Sequence, residues 1–494
     1  MEMFYHSTRD VNNFVTSKQA ILTGIAPDGG LYVSDELGKE QLDLAALPAQ
    51  TYHEHARAVL GMLLSDYTSE EIASCVAGAY ADNFDTPDVT PVTPLGSDWL
   101  LELYHGPTCA FKDVALQMLP RLMSVARDPE GDRIMIVTAT SGDTGKAALA
   151  GFAGVDGCGV TVFYPEGKVS DIQHLQMATQ EGRNVAVCGV KGTFDDCQTE
   201  VKNIFADKGL AARLAEHNVA LSSANSINVG RLVPQVVYYV DAYAQLVRRG
   251  AIKLGDPVDF CVPTGNFGDV LAGYYAKLLG LPVGKLIVAS NSNKVLTDFL
   301  ETGIYDRRRP FMKTISPSMD ILVSSNLERM LYYLTEGDTQ QVSAWMSDLN
   351  QKGFYNIGED YLAKLRQTFE CGYATDKETK ATIRTTWEQE GKLIDTHTAV
   401  AKTVLDRFDS QGRARVCLST ANAYKFSSDV LDALGERTGN MDDFACMDEL
   451  QDVTGVPAPP QLSGLRSAAI LHDSTCQRSS MTYFVEKSAK RIFR

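Results

Sequence analysis

From about residue 96 onward, short and nearly unbroken apolar runs alternate with longer amphipathic stretches. The runs "RIMIVTAT", "VTVFYP", "NVAVCGV" and "VALSSA" come first, and "PVDFCVPT", "KLIVASN" and "ARVCLST" follow later. Between the early runs lie helical segments led by "DTGKAALAGF", "VSDIQHLQMATQEG" and "FDDCQTEVKNIFADKGLAARLAEH". Continuous apolar strands separated by helices predict parallel sheets covered on both faces, and the strand count predicts two of them. Residues 1–95 have a different texture: an extended opening, the turn "PDGGLYV", and amphipathic helices at "YHEHARAVLGMLL" and "SEEIASCVAGAYADNF". His53 and His55 are two apart on the first of these helices, so they face different ways and make a poor metal pair. The predicted organisation is an N-terminal domain over 1–95, an α/β domain over 96–250, and a second α/β domain over 251–494 with a C-terminal extension. After the proline cluster "VPAPPQ" the pattern fits either a closing helix or a mobile tail.

Composition narrows the class. The net charge of -16 leaves no basic stripe for nucleic acid or an anionic membrane surface. The ten cysteines lie in apolar runs and never form a CxxC pair, which fits reduced thiols and no structural metal or disulfide frame. The opening "MEMFYHSTRDVNNF" has no apolar core of a signal peptide, and no run reaches the roughly 18 apolar residues of a membrane span. The expectation is a soluble, cytoplasmic protein.

Ligands of parallel α/β sheets bind beyond the carboxyl ends of the strands, where loops enter helices. Four such loops carry chemistry. In "TATSGDTGKAALAG", Ser141, Asp143 and Thr144 sit in a glycine-bearing turn at a helix start, suited to an anion. A Walker A reading fails there, because Ala139 and Ala147 stand where glycine and a magnesium-binding hydroxyl are needed. In "DFCVPTGNFGDVLAG", Gly265, Asn266, Phe267 and Gly268 form a phosphate-sized turn leading to Asp269, without the GxGxxG spacing of a dinucleotide site. In "LSSANSINVGRLVPQ", Asn228 and Arg231 join a crowd of hydroxyls, suited to a small phosphorylated or carboxylated substrate. In "VCLSTANAYKF", Ser419 and Thr420 close a strand and either meet a neutral ring nitrogen or cap a helix. Against these stands Lys112, set between Phe111 and Asp113 in "HGPTCAFKDVALQML"; taken alone it reads as a snorkelling lysine at a helix start. A lysine in apolar surroundings, a phosphate cup and polar groups around them are together the parts of a pyridoxal phosphate enzyme.

The segments "YHSTRD", "APDGGLYV", "HGPTCAFKD", "TATSGDTG", "SANSIN" and "PTGNFGD", in this order from residue 5 onward, resemble the threonine synthases of the microbial and fungal class. The resemblance implies a fold type II pyridoxal phosphate enzyme, tryptophan synthase β-like, with two parallel-rich sheet domains plus an N-terminal domain. It implies conversion of O-phospho-L-homoserine and water to L-threonine and phosphate, the last step of threonine biosynthesis, by a monomer or homodimer. Carried over, Lys112 is the Schiff-base lysine, and Gly265, Asn266, Phe267 and Gly268 hold the cofactor phosphate, with Phe111 and Asp269 beside them. Asp143 falls near the cofactor's ring hydroxyl and Thr420 near its ring nitrogen; Ser141, Thr144, Asn228 and Arg231 are the candidates for substrate carboxylate and phosphate. One departure stands out: the family reads "TAHPAKF" where this chain has "TANAYKF", with Asn422 and Ala423 in place of His-Pro. That change keeps open a related phospho-lyase releasing a ketoacid; a non-catalytic protein of the same fold is the alternative from another class.

Overall fold

The apolar runs form two sheets in the computed structural model, which describes residues 2–128, 131, 133–140 and 142–494. The first sheet is parallel throughout, in the order Thr475–Gln477, Val185–Lys191, Cys158–Pro165, Arg133–Ala139, Val219–Ser222. The second runs Phe369–Tyr373, Val283–Ser290, Val258–Pro263, Ala414–Ser419, Asp98–Glu102, Val92–Leu95, and only its last pair is antiparallel. Every residue of Cys158–Pro165 and of Val258–Pro263 is buried, as expected of strands with helices on both faces. In each sheet the chain leaves one strand in one direction and later returns on its other side. Those two switch points are Arg133–Ala139 and Val258–Pro263, the strands that feed the Asp143 and Gly265 turns.

The sheets do not follow contiguous divisions at 95 and 250. Val92–Leu95 and Asp98–Glu102 complete the second sheet, and Thr475–Gln477, from the C-terminal extension, edges the first. The reason is a crossing: the chain leaves Glu102, on the strand next to the edge of one sheet, and enters the helix Lys112–Ala126, which packs against the helix Asp143–Phe152 of the other. Lys112 therefore stands on the crossover between the two sheets.

The tail packs as a helix, Met481–Ile492, burying Met481, Val485 and Ala489 against Phe163, Cys188 and Cys197. In the N-terminal unit the predicted helices form at Tyr52–Leu63 and Ser69–Tyr80, each opened by a threonine capping box. His55 is buried and bridges units: its Nδ1 meets Asp241 Oδ1 at 2.8 Å and its Nε2 meets the Leu47 carbonyl at 3.0 Å. All ten cysteines are free thiols. No helix among the described residues is long and apolar enough to cross a membrane.

Candidate active site

The loop that carries Lys112 is braced from within and from the second sheet. Asp113 accepts the Thr108 amide at 2.8 Å and the Thr108 hydroxyl at 2.7 Å. A Cβ on Gly106 would meet Asp113 Oδ2 at 2.6 Å, so only glycine lets the turn close. Leu103 donates its amide to the Ser419 carbonyl at 2.9 Å and Phe111 donates to the Thr420 carbonyl at 2.8 Å, which ties the loop to the end of Ala414–Ser419. Lys112 is thus held at the first position of its helix with only 12% of its side chain exposed. Its Nζ donates to Ser318 Oγ at 3.2 Å, lies 3.6 Å from Asp143 Oδ2, and sits 5.3 Å from the centre of the Phe111 ring. Burial pushes its ammonium down from the ordinary lysine range; Asp143 opposes this, and the charges of Lys425 and Arg231 add to it. Burial alone would raise the Asp143 carboxyl, but Lys425 and then Lys112 hold it well below the usual carboxylate range. Lys425 Nζ lies 2.9 Å from Asp143 Oδ1.

The glycine turn is a cup with its back sealed. Ser324 Oγ donates to the Gly265 carbonyl at 2.8 Å, and the Asn326 amide donates to the Asn266 carbonyl at 3.0 Å. The amides of Gly265, Asn266, Phe267 and Gly268 donate to none of the described residues, and the helix Gly268–Leu278 stands behind them. Four open amides at a helix start fit a phosphate. The two glycines serve close approach and not a left-handed backbone, which belongs to Phe267 at φ 63°. A Cβ on Gly265 would lie 2.7 Å from the Ser318 carbonyl oxygen, and one on Gly268 would lie 3.2 Å from Asn326 Nδ2.

The segment from Met312 to Asn326 is thus a strap touching both the amine and the cup, and it has its own anchors. The Ser318 amide donates to His397 Nε2 at 3.1 Å, which requires a lone pair there and places the ring proton on Nδ1. That Nδ1–H donates to Asp395 Oδ2 at 2.8 Å, and Asp395 also caps its helix by accepting the amides of His397 and Thr398. At the far end, Glu328 is gripped by Arg9 through two bonds of 2.8 Å and by the Thr8 hydroxyl at 2.6 Å. The motif "YHSTRD" therefore secures the strap to the N-terminal unit. His397, Ser318 and the strap escaped the sequence reading; the only local signal was "DTHT", an acidic helix cap two residues before a histidine.

The remaining candidates divide. Arg231 is buried, gives one guanidinium nitrogen to the Ala224 carbonyl at 2.8 Å, and leaves its Nε without a partner among the described residues. Burial pushes it down to about 10. Thr144 is half-buried on the first turn of the Asp143 helix, and Thr420 is buried beside Phe111. Ser141 lies outside the described residues. Asn228 is not free for substrate: its Nδ2 donates to the Ile21 carbonyl at 2.9 Å and the Ser223 carbonyl at 3.3 Å, while its Oδ1 caps the Gly230 amide at 2.9 Å. Asn422 likewise caps a turn, its Oδ1 accepting the Tyr424 amide at 3.0 Å.

Asp269 is engaged by the helix Val229–Arg248: its Oδ1 accepts from Tyr238 Oη at 2.5 Å and from Tyr239 Oη at 3.0 Å. Burial pushes its carboxyl up to about 6 against those two hydrogen bonds, from an ordinary 3.8. The folded state then holds this proton more tightly than the unfolded chain, so its contribution to stability falls as pH rises from about 4 to about 6. Asp269→Asn is expected to become more stable relative to the parent across that window, by at most about 3 kcal/mol, read from urea midpoints at both ends. A difference that stays constant with pH would remove this assignment.

Residues 90–419 match the family described as pyridoxal-phosphate dependent enzyme, and residues 4–80 match the threonine synthase N terminus. The fold is accordingly that of a fold type II pyridoxal-phosphate dependent enzyme, and pyridoxal phosphate is the cofactor of that class. The chain is 37% identical over 434 residues to threonine synthase of Pseudomonas aeruginosa, covering 86% of this chain and 89% of that protein. It is 41% identical over 428 residues to human threonine synthase-like 1, covering 84% of this chain but only 58% of that protein. The crystal structure of pyridoxal phosphate-bound threonine synthase from Brucella melitensis matches with TM-score 0.89 and 36% identity, over 99% of this chain and 100% of that one. The yeast threonine synthase structure matches with TM-score 0.88 and 32% identity, over 99% of each. The chain belongs to the threonine synthase family.

Proposed function

We propose that this protein converts O-phospho-L-homoserine and water to L-threonine and phosphate, as a cytoplasmic enzyme acting alone or as a homodimer. The observation that carries the reading is Ser318, whose hydroxyl accepts from the Lys112 amine at 3.2 Å and whose carbonyl abuts Gly265 of the amide cup. Amine and cup thereby belong to one site. Lys112 would hold the cofactor through Nζ, and the amides of Gly265 to Gly268 would hold its phosphate. When bound, the cofactor supplies an electron sink for charge developed on the substrate amino acid.

The protein's own residues do the rest. Nζ of Lys112 accepts the proton of the substrate α carbon and serves the proton transfers at the β carbon. Asp143 and Ser318 keep that nitrogen in place between transfers. Arg231, a buried cation without a carboxylate partner among the described residues, orients the substrate phosphate before it leaves the γ carbon. The strap lies against both the amine and the glycine turn, and in this reading it limits the water that reaches the β carbon. Thr144 and Thr420 are the hydroxyls assigned to substrate and to the cofactor's ring nitrogen.

Supplying O-phospho-L-homoserine to the purified protein is expected to give threonine and phosphate in equal amounts. A second reading, a phospho-lyase, draws support from the similarity to threonine synthase-like 1 proteins and from Asn422-Ala423. Release of 2-oxobutyrate and ammonia without threonine would establish it instead.

A further inference from the structure

A second lysine stands behind the first. Lys425 lies in the turn Ala423–Phe426 and is buried; its Nζ donates to the Thr108 carbonyl at 2.8 Å and forms an ion pair with Asp143 Oδ1 at 2.9 Å. Lys112 reaches the other oxygen of the same carboxylate at 3.6 Å. Two ammonium groups thus share one carboxylate, and the nearer has the stronger claim. The surrounding charges do not redress this. Arg231 is a third cation facing Lys112, and His397 faces Asp143 from the helix Thr396–Leu405. Asp113 and the thiol of Cys109 face Lys425, but Asp113 is already occupied by Thr108.

We propose that Lys425 is a positioning residue for Lys112: by binding Asp143 from behind, it fixes that carboxylate in place and takes up its charge, so that Lys112 is oriented by Asp143 without being locked to it as an ion pair. This rests on Lys112 being the amine that holds the cofactor. An exposed ion pair would matter little, but in a buried site a neighbouring charge changes an amine's readiness to lose its proton substantially. The direction follows from the arrangement. Without the Lys425 charge, Asp143 pairs fully with Lys112 and stabilises its ammonium form. Without the Asp143 charge, the two amines face each other unbuffered and Lys112 loses its proton more readily.

The test is the rate at which added pyridoxal phosphate develops its visible band on the full-length protein freed of cofactor, followed across pH, because only the neutral amine captures the aldehyde. Lys425→Gln is expected to displace this profile to higher pH by about one unit, a tenfold slower capture at neutral pH. Asp143→Asn is expected to displace it to lower pH, and Lys425→Arg to leave it near the parent. Loss of a merely structural contact would lower stability or band height without opposite displacements. Should Lys425→Gln fail to fold because Asp143 is left buried without its counter-charge, the double variant Asp143→Asn/Lys425→Gln keeps the balance. Compared with Asp143→Asn alone, it isolates the Lys425 charge and is expected to lie at higher pH. Coincident profiles in that comparison, or displacements of the single variants in the same direction, overturn the proposal. A band absent from the parent, or surviving Lys112→Ala, overturns the assignment of Lys112 instead.

Discussion

Lys112→Ala is expected to abolish the visible band of bound cofactor and to lower threonine formation by at least about 10⁴-fold, the upper end of what one positioned acid–base group contributes. The loss is placed at that end because the same nitrogen has two duties, holding the cofactor and moving protons on the substrate. Folding should be little affected. Nζ is held by the Ser318 hydroxyl at 3.2 Å and a loose approach to Asp143, while Lys425 remains to neutralise that carboxylate. The comparison is therefore clean: a helix-start lysine that only snorkels would change stability by no more than about 0.5 kcal/mol and leave band and product untouched. Absorbance of the purified variant with saturating pyridoxal phosphate, paired with a threonine assay, separates the two outcomes. A variant retaining the band and more than about one-hundredth of the activity would show that another amine does the work.

What could be read from the sequence and what could not follow from the range of the interactions involved. Alternation of apolar runs with helices is local, and it located the strands Arg133–Ala139 and Val258–Pro263 whose ends carry the site. The turn was visible because its two glycines lie only three residues apart. Their purpose was not: Gly265 is required by Ser318, more than fifty residues later, and not by a left-handed turn. Ser318 reaches Lys112, His397 reaches Ser318 and Lys425 reaches Asp143 through tertiary contacts that no spacing encodes. The placement of Val92–Leu95 and Asp98–Glu102 in the second sheet is equally invisible to periodicity, because an edge strand reads the same in either sheet. Asn228 failed in the opposite direction. An asparagine before a helix is first of all a cap, and here that use consumes its amide. Asn422 is a cap as well, so the departure from the family's His-Pro leaves that turn closed by its own side chain.

Arg231→Met is the prediction in which stability and function should part. A buried guanidinium with one carbonyl acceptor, an unpartnered Nε and no carboxylate partner among the described residues has lost hydration that nothing in the protein returns. Replacing such a charge by an apolar chain of similar length is expected to leave the melting temperature unchanged or raise it. Capture of a phosphorylated substrate should suffer, because the anion that balances this charge is the substrate's own. Losing a charge-assisted contact of about 3–4 kcal/mol corresponds to a rise of roughly 10²–10³-fold in KM for O-phospho-L-homoserine. Arg231→Lys should recover only part of it, since a point charge cannot reproduce the planar fork. Cofactor binding is expected to survive in both variants, because neither the amides of Gly265 to Gly268 nor Lys112 Nζ bonds to Arg231, although in Arg231→Met the lost charge moves Lys112 in the same direction as loss of Lys425 does. The converse pattern, a variant several kcal/mol less stable with an unchanged KM, would make Arg231 a brace for the Ala224 turn. Destabilised sites of this kind persist where function requires them, so a gain in stability with a loss in substrate affinity would mark Arg231 as held for the ligand.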